Sequence, residues 1–180
     1  MTQMTKKSDE PTQPILTIDS FYAETKPFVD QFNIWVSELR FGAHADHLCY
    51  KCGTSDVFVA IRNLFERPDS YQFQSFISGR RIAIIKLPRP IPTLLGNIWF
   101  LELSDQKPDG CQTSGFDHIE LYPTHGTLEQ MVALLAIRGI VINRSNHPHH
   151  QTYDIILKGG FRIRLEPESL IETIKRRDMK

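Results

Sequence analysis

The chain has 180 residues, 41% of them hydrophobic, with 21 basic and 21 acidic side chains. That supplies enough apolar material for one domain-sized core, and the balanced charge argues against a nucleic-acid footprint, which takes a basic excess. No apolar run reaches the length of a membrane span, the first residues lack the apolar stretch of a secretion signal, and three cysteines do not make a disulfide framework; a soluble, cytoplasmic protein is expected.

Residues 1–14 are polar, include Pro11 and Pro14, and read as a disordered tail. Residues 15–43 read as an N-terminal helical segment. Within it, Phe28, Phe32, Trp35 and Leu39 form one apolar stripe over residues 19–41. Pro27 should start or kink the main helix.

A first module, residues 44–110, follows. Residues 47–52 alternate as a strand. Residues 55–66 read as a helix capped by Ser55, with Val57, Ile61, Leu64 and Phe65 facing inward. Residues 71–77 and 81–87 read as strands around a Ser78-Gly79-Arg80 turn. A proline-rich connection covers residues 88–92, and residues 98–103 form a further strand.

The second module, residues 111–180, repeats the order. Residues 117–122 are a strand. Residues 127–138 are a helix with Met131, Leu134 and Leu135 in the core and Gly139 as its stop. Residues 140–143, 153–158 and 161–165 are strands, with Gly159-Gly160 as the last hairpin and a terminal helix over residues 167–177. Both modules open on the same phrase, Asp46-His47-Leu48 and Asp117-His118-Ile119. An internal repeat of this kind marks two copies of one unit. The expected class is α+β: two tandem βαβββ modules forming one domain over residues 44–180, a curved, cup-like mixed sheet with an N-terminal helical extension.

Strand parity assigns side chains to faces. Leu48 and Tyr50, Ile119 and Leu121, the set Trp99, Leu101 and Leu103, and the set Phe161, Ile163 and Leu165 make the aliphatic faces that suit packing on the helices. The opposite faces carry His47, Cys49 and Lys51, then Glu102, then His118, Glu120 and Tyr122, then Arg162, Arg164 and Glu166. In each module the first strand offers a histidine and the last a glutamate. His47, Glu102, His118 and Glu166 therefore form a candidate ligand set for a divalent cation. Asp46 and Asp117 fall on the other parity and read either as partners behind the ligands or as structural residues, the structural role being favoured.

At these residues the sequence resembles the vicinal oxygen chelate superfamily, the glyoxalase and bleomycin-resistance type of fold, and more closely the YecM family of small bacterial proteins. The stretches that carry the likeness are Ala45-Asp46-His47, residues 79–87, Glu102-Leu103, Asp117-His118-Ile119-Glu120 and residues 167–174, spread over most of residues 20–178. The superfamily resemblance implies paired βαβββ modules around a metal, with His47, Glu102, His118 and Glu166 at the ligand positions and two coordination sites open for a chelating ligand.

A cation holding two vicinal oxygens stabilises enolate-like charge. Glu102 or Glu166 would then act as base, and Glu120 as a further base or a fifth ligand. Lys86, Arg162 and Arg164 would give the cup a cationic rim for an anionic small molecule, or pair with Glu120 or Asp154 and neutralise it. The expected metal is zinc, nickel, manganese, cobalt or iron. The expected function is that of a metal-dependent isomerase, lyase or dioxygenase acting on a small anionic chelating metabolite, or else of a non-catalytic ligand-binding protein, working as a monomer or homodimer with no nucleic-acid or membrane partner. Cys49 and Cys52 form a CxxC whose thiols point to opposite faces of a strand, wrong for a dithiol centre. The His147–His150 cluster reads as a solvated loop.

Overall fold

A computed structural model describes residue 15 and residues 17–39, 41–67, 72–146 and 151–178. The expected tail over residues 1–14 and the histidine cluster His147–His150 lie outside these. Helix α1 (Ile18–Ser37) begins at Thr17, whose hydroxyl accepts the Ser20 amide while the Ser20 hydroxyl accepts the Thr17 amide. This reciprocal cap satisfies two N–H groups that a helix start leaves open. Pro27 neither starts nor breaks the element; it lies inside one continuous helix. An interior proline costs about 3 kcal/mol. Fully burying Phe21 and Phe32 on either side contributes roughly 2–3 kcal/mol each, enough to hold the helix across it. The buried stripe is Phe21, Thr25, Val29, Phe32 and Val36, while Phe28, Trp35 and Leu39 pack at its margin.

The first module comprises β1 (Ala43–Lys51), α2 (Ser55–Leu64), β2 (Gln72–Ile77), β3 (Arg80–Thr93) and β4 (Gly96–Ser104). The second comprises β5 (Gly115–Pro123), α3 (Leu128–Ile137), β6 (Asn143–Asn146), β7 (Gln151–Ile156) and β8 (Arg162–Leu165), followed by α4 (Leu170–Asp178). The cap of α2 is Thr54, one residue before the expected Ser55. All eight strands form one open, curved sheet in the order β2-β3-β4-β1-β5-β8-β7-β6. The halves match: β1 is parallel to β4 and β5 is parallel to β8, while the two modules join through the antiparallel β1–β5 pair. Among the described residues no helix is long and apolar enough to cross a membrane.

Helices α1, α2 and α3 share a single core with one face of this sheet, through Phe58, Ile61, Met131 and Leu135 packed with Leu48, Leu101, Leu103, Ile119, Leu121, Ile163 and Leu165. Several expectations give way to local chemistry. The proline-rich stretch 88–92 is strand, not connection. Pairing of β3 with β4 lapses between Lys86 and Ile91, over Pro88 and Pro90, and resumes with Ile91 and Pro92 opposite Ile98 and Asn97; prolines are tolerated where no ladder N–H is needed. The same lapse resets the pleat of β4. Ile98 is fully buried and Trp99 is 40% exposed, the reverse of the expected alternation. Leu134 is 38% exposed because α3 buries Leu128, Met131 and Leu135 instead. Residues 140–142 precede β6 rather than forming it. Gly139, at φ 79°, ends α3, and the Ile140 amide closes on the Leu135 carbonyl, so this apolar run seals the helix end. Gly159-Gly160 belongs to a short 3-10 turn, Lys158–Gly160. The Ser78–Gly79 turn does appear as a two-residue hairpin loop with positive φ at both residues, as a type I′ turn requires.

Candidate metal centre

The other face of the sheet is polar at its middle, and its geometry is set by two β-bulges. Along the β1–β5 pair, Ala45 faces Leu121 and Leu48 faces Ile119, so Asp46 and His47 together fill the space of one residue. Further along, Cys49 faces His118 and Tyr50 faces Phe116, so Asp117 is the extra residue on β5. Each Asp-His pair therefore sits at a bulge, one per module. A bulge re-aims side chains that strict alternation would separate. Asp46 and Asp117 are thus brought to their neighbours' rings, against the parity reading that favoured a structural role.

Each aspartate takes up the Nδ1 of its own histidine, at 3.1 Å for Asp46–His47 and 2.9 Å for Asp117–His118. Nδ1 is the donor in both contacts, so Nε2 is the nitrogen that carries the lone pair when the ring is neutral. Both Nε2 atoms are buried without a hydrogen-bond partner. The His47 and His118 rings lie edge to face with centroids 6.0 Å apart. His47 Nε2 is 3.2 Å from a Glu102 oxygen and 3.7 Å from a Glu120 oxygen, without hydrogen-bond alignment. Ligand atoms of His47, Glu102 and His118 all lie within 4.8 Å of one another, as do those of Asp46, His47 and Glu120 and those of Cys49, Asp117 and His118.

Glu166 stands differently. In register, His47 and His118 occupy matching places, with Phe100 and Arg162 opposite them, and Cys49 and Glu120 match with Glu102 and Arg164 opposite. The counterpart of Glu102 is therefore Arg164, and the expected equivalence of Glu102 with Glu166 does not hold. Glu166 follows β8, is buried, and joins none of the close atom groups, though its charge is felt by Glu120. The cationic residues also divide. Arg164 grips Asp154 through Nε at 2.9 Å and Nη2 at 3.2 Å. Arg162 reaches Asp117 at 3.1 Å. Lys86, opposite Phe100, is exposed.

Electrostatics describe a centre short of positive charge. Burial alone would strip the His47 proton, but the adjoining Asp46 and Glu102 carboxylates, joined by Glu120 whenever that carboxyl is ionised, outweigh it and hold His47 well above its ordinary value. Burial and the Arg164 guanidinium bring His118 down to about 4, so its ring is neutral. Burial, with repulsion from Glu166 and Glu102, pushes Glu120 up to about 8 despite His47. Burial likewise raises Glu166 to about 7 against the pull of Arg164. Burial also works against ionisation of Glu102, but the protonated His47 beside it overcomes this and keeps that carboxyl well below the usual range.

The strand faces foretold His47, Cys49, Glu102, His118 and Glu120 on one side, and the Cys49 thiol indeed lies 3.4 Å from a Glu102 oxygen. Cys52 is buried in the helix-side core, away from Cys49. Parity left open whether Asp46 and Asp117 stand behind the histidines or serve the framework alone, and the contacts at Nδ1 favour the first. The available signal was the repeated aspartate itself: duplication kept Asp-His, not only His.

A duplicated βαβββ protein with two carboxylate-oriented imidazoles and buried glutamates at its module junction is the class that this fold and site define. The YecM protein family model matches residues 10–158, most of the chain, and the chain belongs to the YecM family. A solved structure described as "Structural Genomics, Protein EC4020" superposes with a TM-score of 0.68 at 20% identity, over 88% of this chain and 91% of that one; at that identity the likeness shows the fold. No curated protein matches the chain.

Proposed function

We propose that this YecM-family chain is a cytoplasmic metal-binding protein of vicinal oxygen chelate type. In this reading His47 Nε2, His118 Nε2 and Glu102 would hold a divalent cation, with Glu120 as a neighbouring carboxyl group. The observation that carries the reading is the pair of buried imidazole Nε2 atoms that no hydrogen bond takes up, on rings each fixed by an aspartate at Nδ1 and with carboxylate oxygens beside that of His47. That is the arrangement by which proteins fix the tautomer and raise the basicity of a metal-binding histidine. The donor set fits: two neutral-nitrogen positions with carboxylate oxygens suit zinc, nickel, manganese, cobalt or iron.

A bound cation supplies Lewis acidity to a small ligand offering two adjacent oxygens. The chain supplies the rest. Burial keeps water from the two rings. Glu120, at about 8, holds its proton near neutrality in the metal-free protein, so it can serve as acid or, once a cation lowers it, as base. Proton relocation next to a chelated carbonyl, as in an isomerase or lyase, is the chemistry these groups support. The test is elemental analysis of untagged wild type beside His47→Ala and His118→Ala. The expected result is about one metal per chain in wild type and loss in both variants. Full metal in both variants would overturn the assignment.

A further inference from the structure

Next to the imidazole pair, at the end of β1 and the start of β5, lies a cavity of about 320 Å3 lined by Lys51, Lys107, Arg162, Asp117, Ser114 and Gly115 among others. Three cations face one carboxylate, leaving an excess of two positive charges. Asp117 holds two of these cations in place, with Lys51 Nζ at 2.8 Å and Arg162 Nη1 at 3.1 Å. The contact to Asp117 uses only Nη1 of Arg162, so its Nε and Nη2 hydrogens have no protein partner among the described residues. Lys107 is exposed and forms no ion pair among the described residues. The same Asp117 carboxylate also fixes His118, so the cavity and the candidate metal centre share one wall. Clustered cations with unspent N–H donors, partly withdrawn from water, attract an oxyanion.

The geometry points to this cavity as an anion subsite that takes the carboxylate or phosphate group of a small ligand whose remaining oxygens reach the imidazole pair. The second half rests on the metal reading above; the anion half stands on the cavity alone. It makes the ligand an acid with a chelating head and a charged tail. Arg164, tied to Asp154, takes no part, and the role falls to Lys51 and Lys107 beside Arg162.

The test uses inorganic phosphate and malonate, each titrated into 15N-labelled full-length protein, first chelator-treated and then zinc-loaded, with amide shifts of Ser114, Gly115 and Phe116 as readout. Saturable shifts in the chelator-treated protein are expected, weakened at least tenfold in Arg162→Met and several-fold in Lys107→Met. The tighter of the two anions names the tail. Because Arg162 also braces Asp117, exposed Lys107 carries the test if Arg162→Met fails to fold. The inference falls if neither anion gives saturable shifts at these amides, or if binding is unchanged in Lys107→Met and in every folded Arg162 variant. Either result is reached without metal, so it is distinct from failure of the metal assignment.

Discussion

At the scale of single residues, the two imidazoles are each oriented by the aspartate that precedes them. A neutral imidazole has two interchangeable nitrogens, and only a partner at one of them decides which is free. Asp46 and Asp117 make that decision through contacts of 3.1 and 2.9 Å. Asp46→Asn and Asp117→Asn keep an acceptor oxygen but remove the charge that makes each ring a better donor. Metal affinity should therefore drop by roughly 10–100-fold in each variant, read by competition with a chromophoric chelator. Affinity unchanged in both would mean that the aspartates serve only the bulges. Asp117 carries more than Asp46, since it also gathers Lys51 and Arg162. Its variant should lose phosphate binding along with metal, whereas Asp46→Asn should not.

At the scale of elements, α4 is the part that breaks the symmetry of the modules. Its Ile171 and Ile174 pack with Ile84, Phe73 and Phe100 in a small cluster of their own, on the site side of the first module. Its start is pinned to the site. The Ser169 hydroxyl donates to Asp46 at 2.5 Å and accepts the Glu172 amide, while the Leu170 amide also donates to Asp46. Ser169 is thus both the helix cap and a brace for the group that orients His47. Ser169→Ala should cost about 1 kcal/mol as a lost cap and lower metal affinity several-fold, with Ser169→Thr restoring both. A melting curve and a metal titration on the same samples check this, and a stability loss with no change in affinity would reduce Ser169 to a cap. The order of elements and the partition of faces were legible from alternation and from the doubled Asp-His phrase. The bulges were not, because a bulge is a property of two strands in register and the sequence shows one strand at a time. The same limit explains the exchange of Glu166 for Arg164 as the partner of Glu102 in the duplication. Counting from the histidine places a glutamate in each last strand, and only the pairing with β5 shows which residue stands opposite.

Across the whole molecule, the centre imposes a pH dependence whose sign can be worked out. Glu120, raised to about 8 chiefly by burial, and Glu166, raised to about 7, are protonated more readily folded than unfolded. Their contribution to stability is complete below the ordinary carboxylate range and is lost as pH rises through about 7 and 8. His47, held above its ordinary value against its burial by Asp46, Glu102 and, when ionised, Glu120, acts in the same direction. Its stabilising proton is lost as pH climbs through its folded value. His118, at about 4, and the depressed carboxyls Glu102, Asp46 and Asp117 have finished titrating below pH 7. Between pH 7 and 9 every active contribution therefore runs downward in the metal-free protein. In a chain of this size about 1 kcal/mol moves Tm by ~2–4 °C, so chelator-treated wild type should lose a few degrees across that window. Glu120→Gln, neutral at any pH, should flatten the slope. A divalent cation replaces the protons that His47 and Glu120 would otherwise share, so its stabilisation should grow with pH over the same interval. Scanning calorimetry at pH 7 and 9, with and without added zinc, reads all three effects. A metal-free Tm that rises toward pH 9 would show that the buried carboxylates are not held protonated, and the case for a centre awaiting positive charge would go with it.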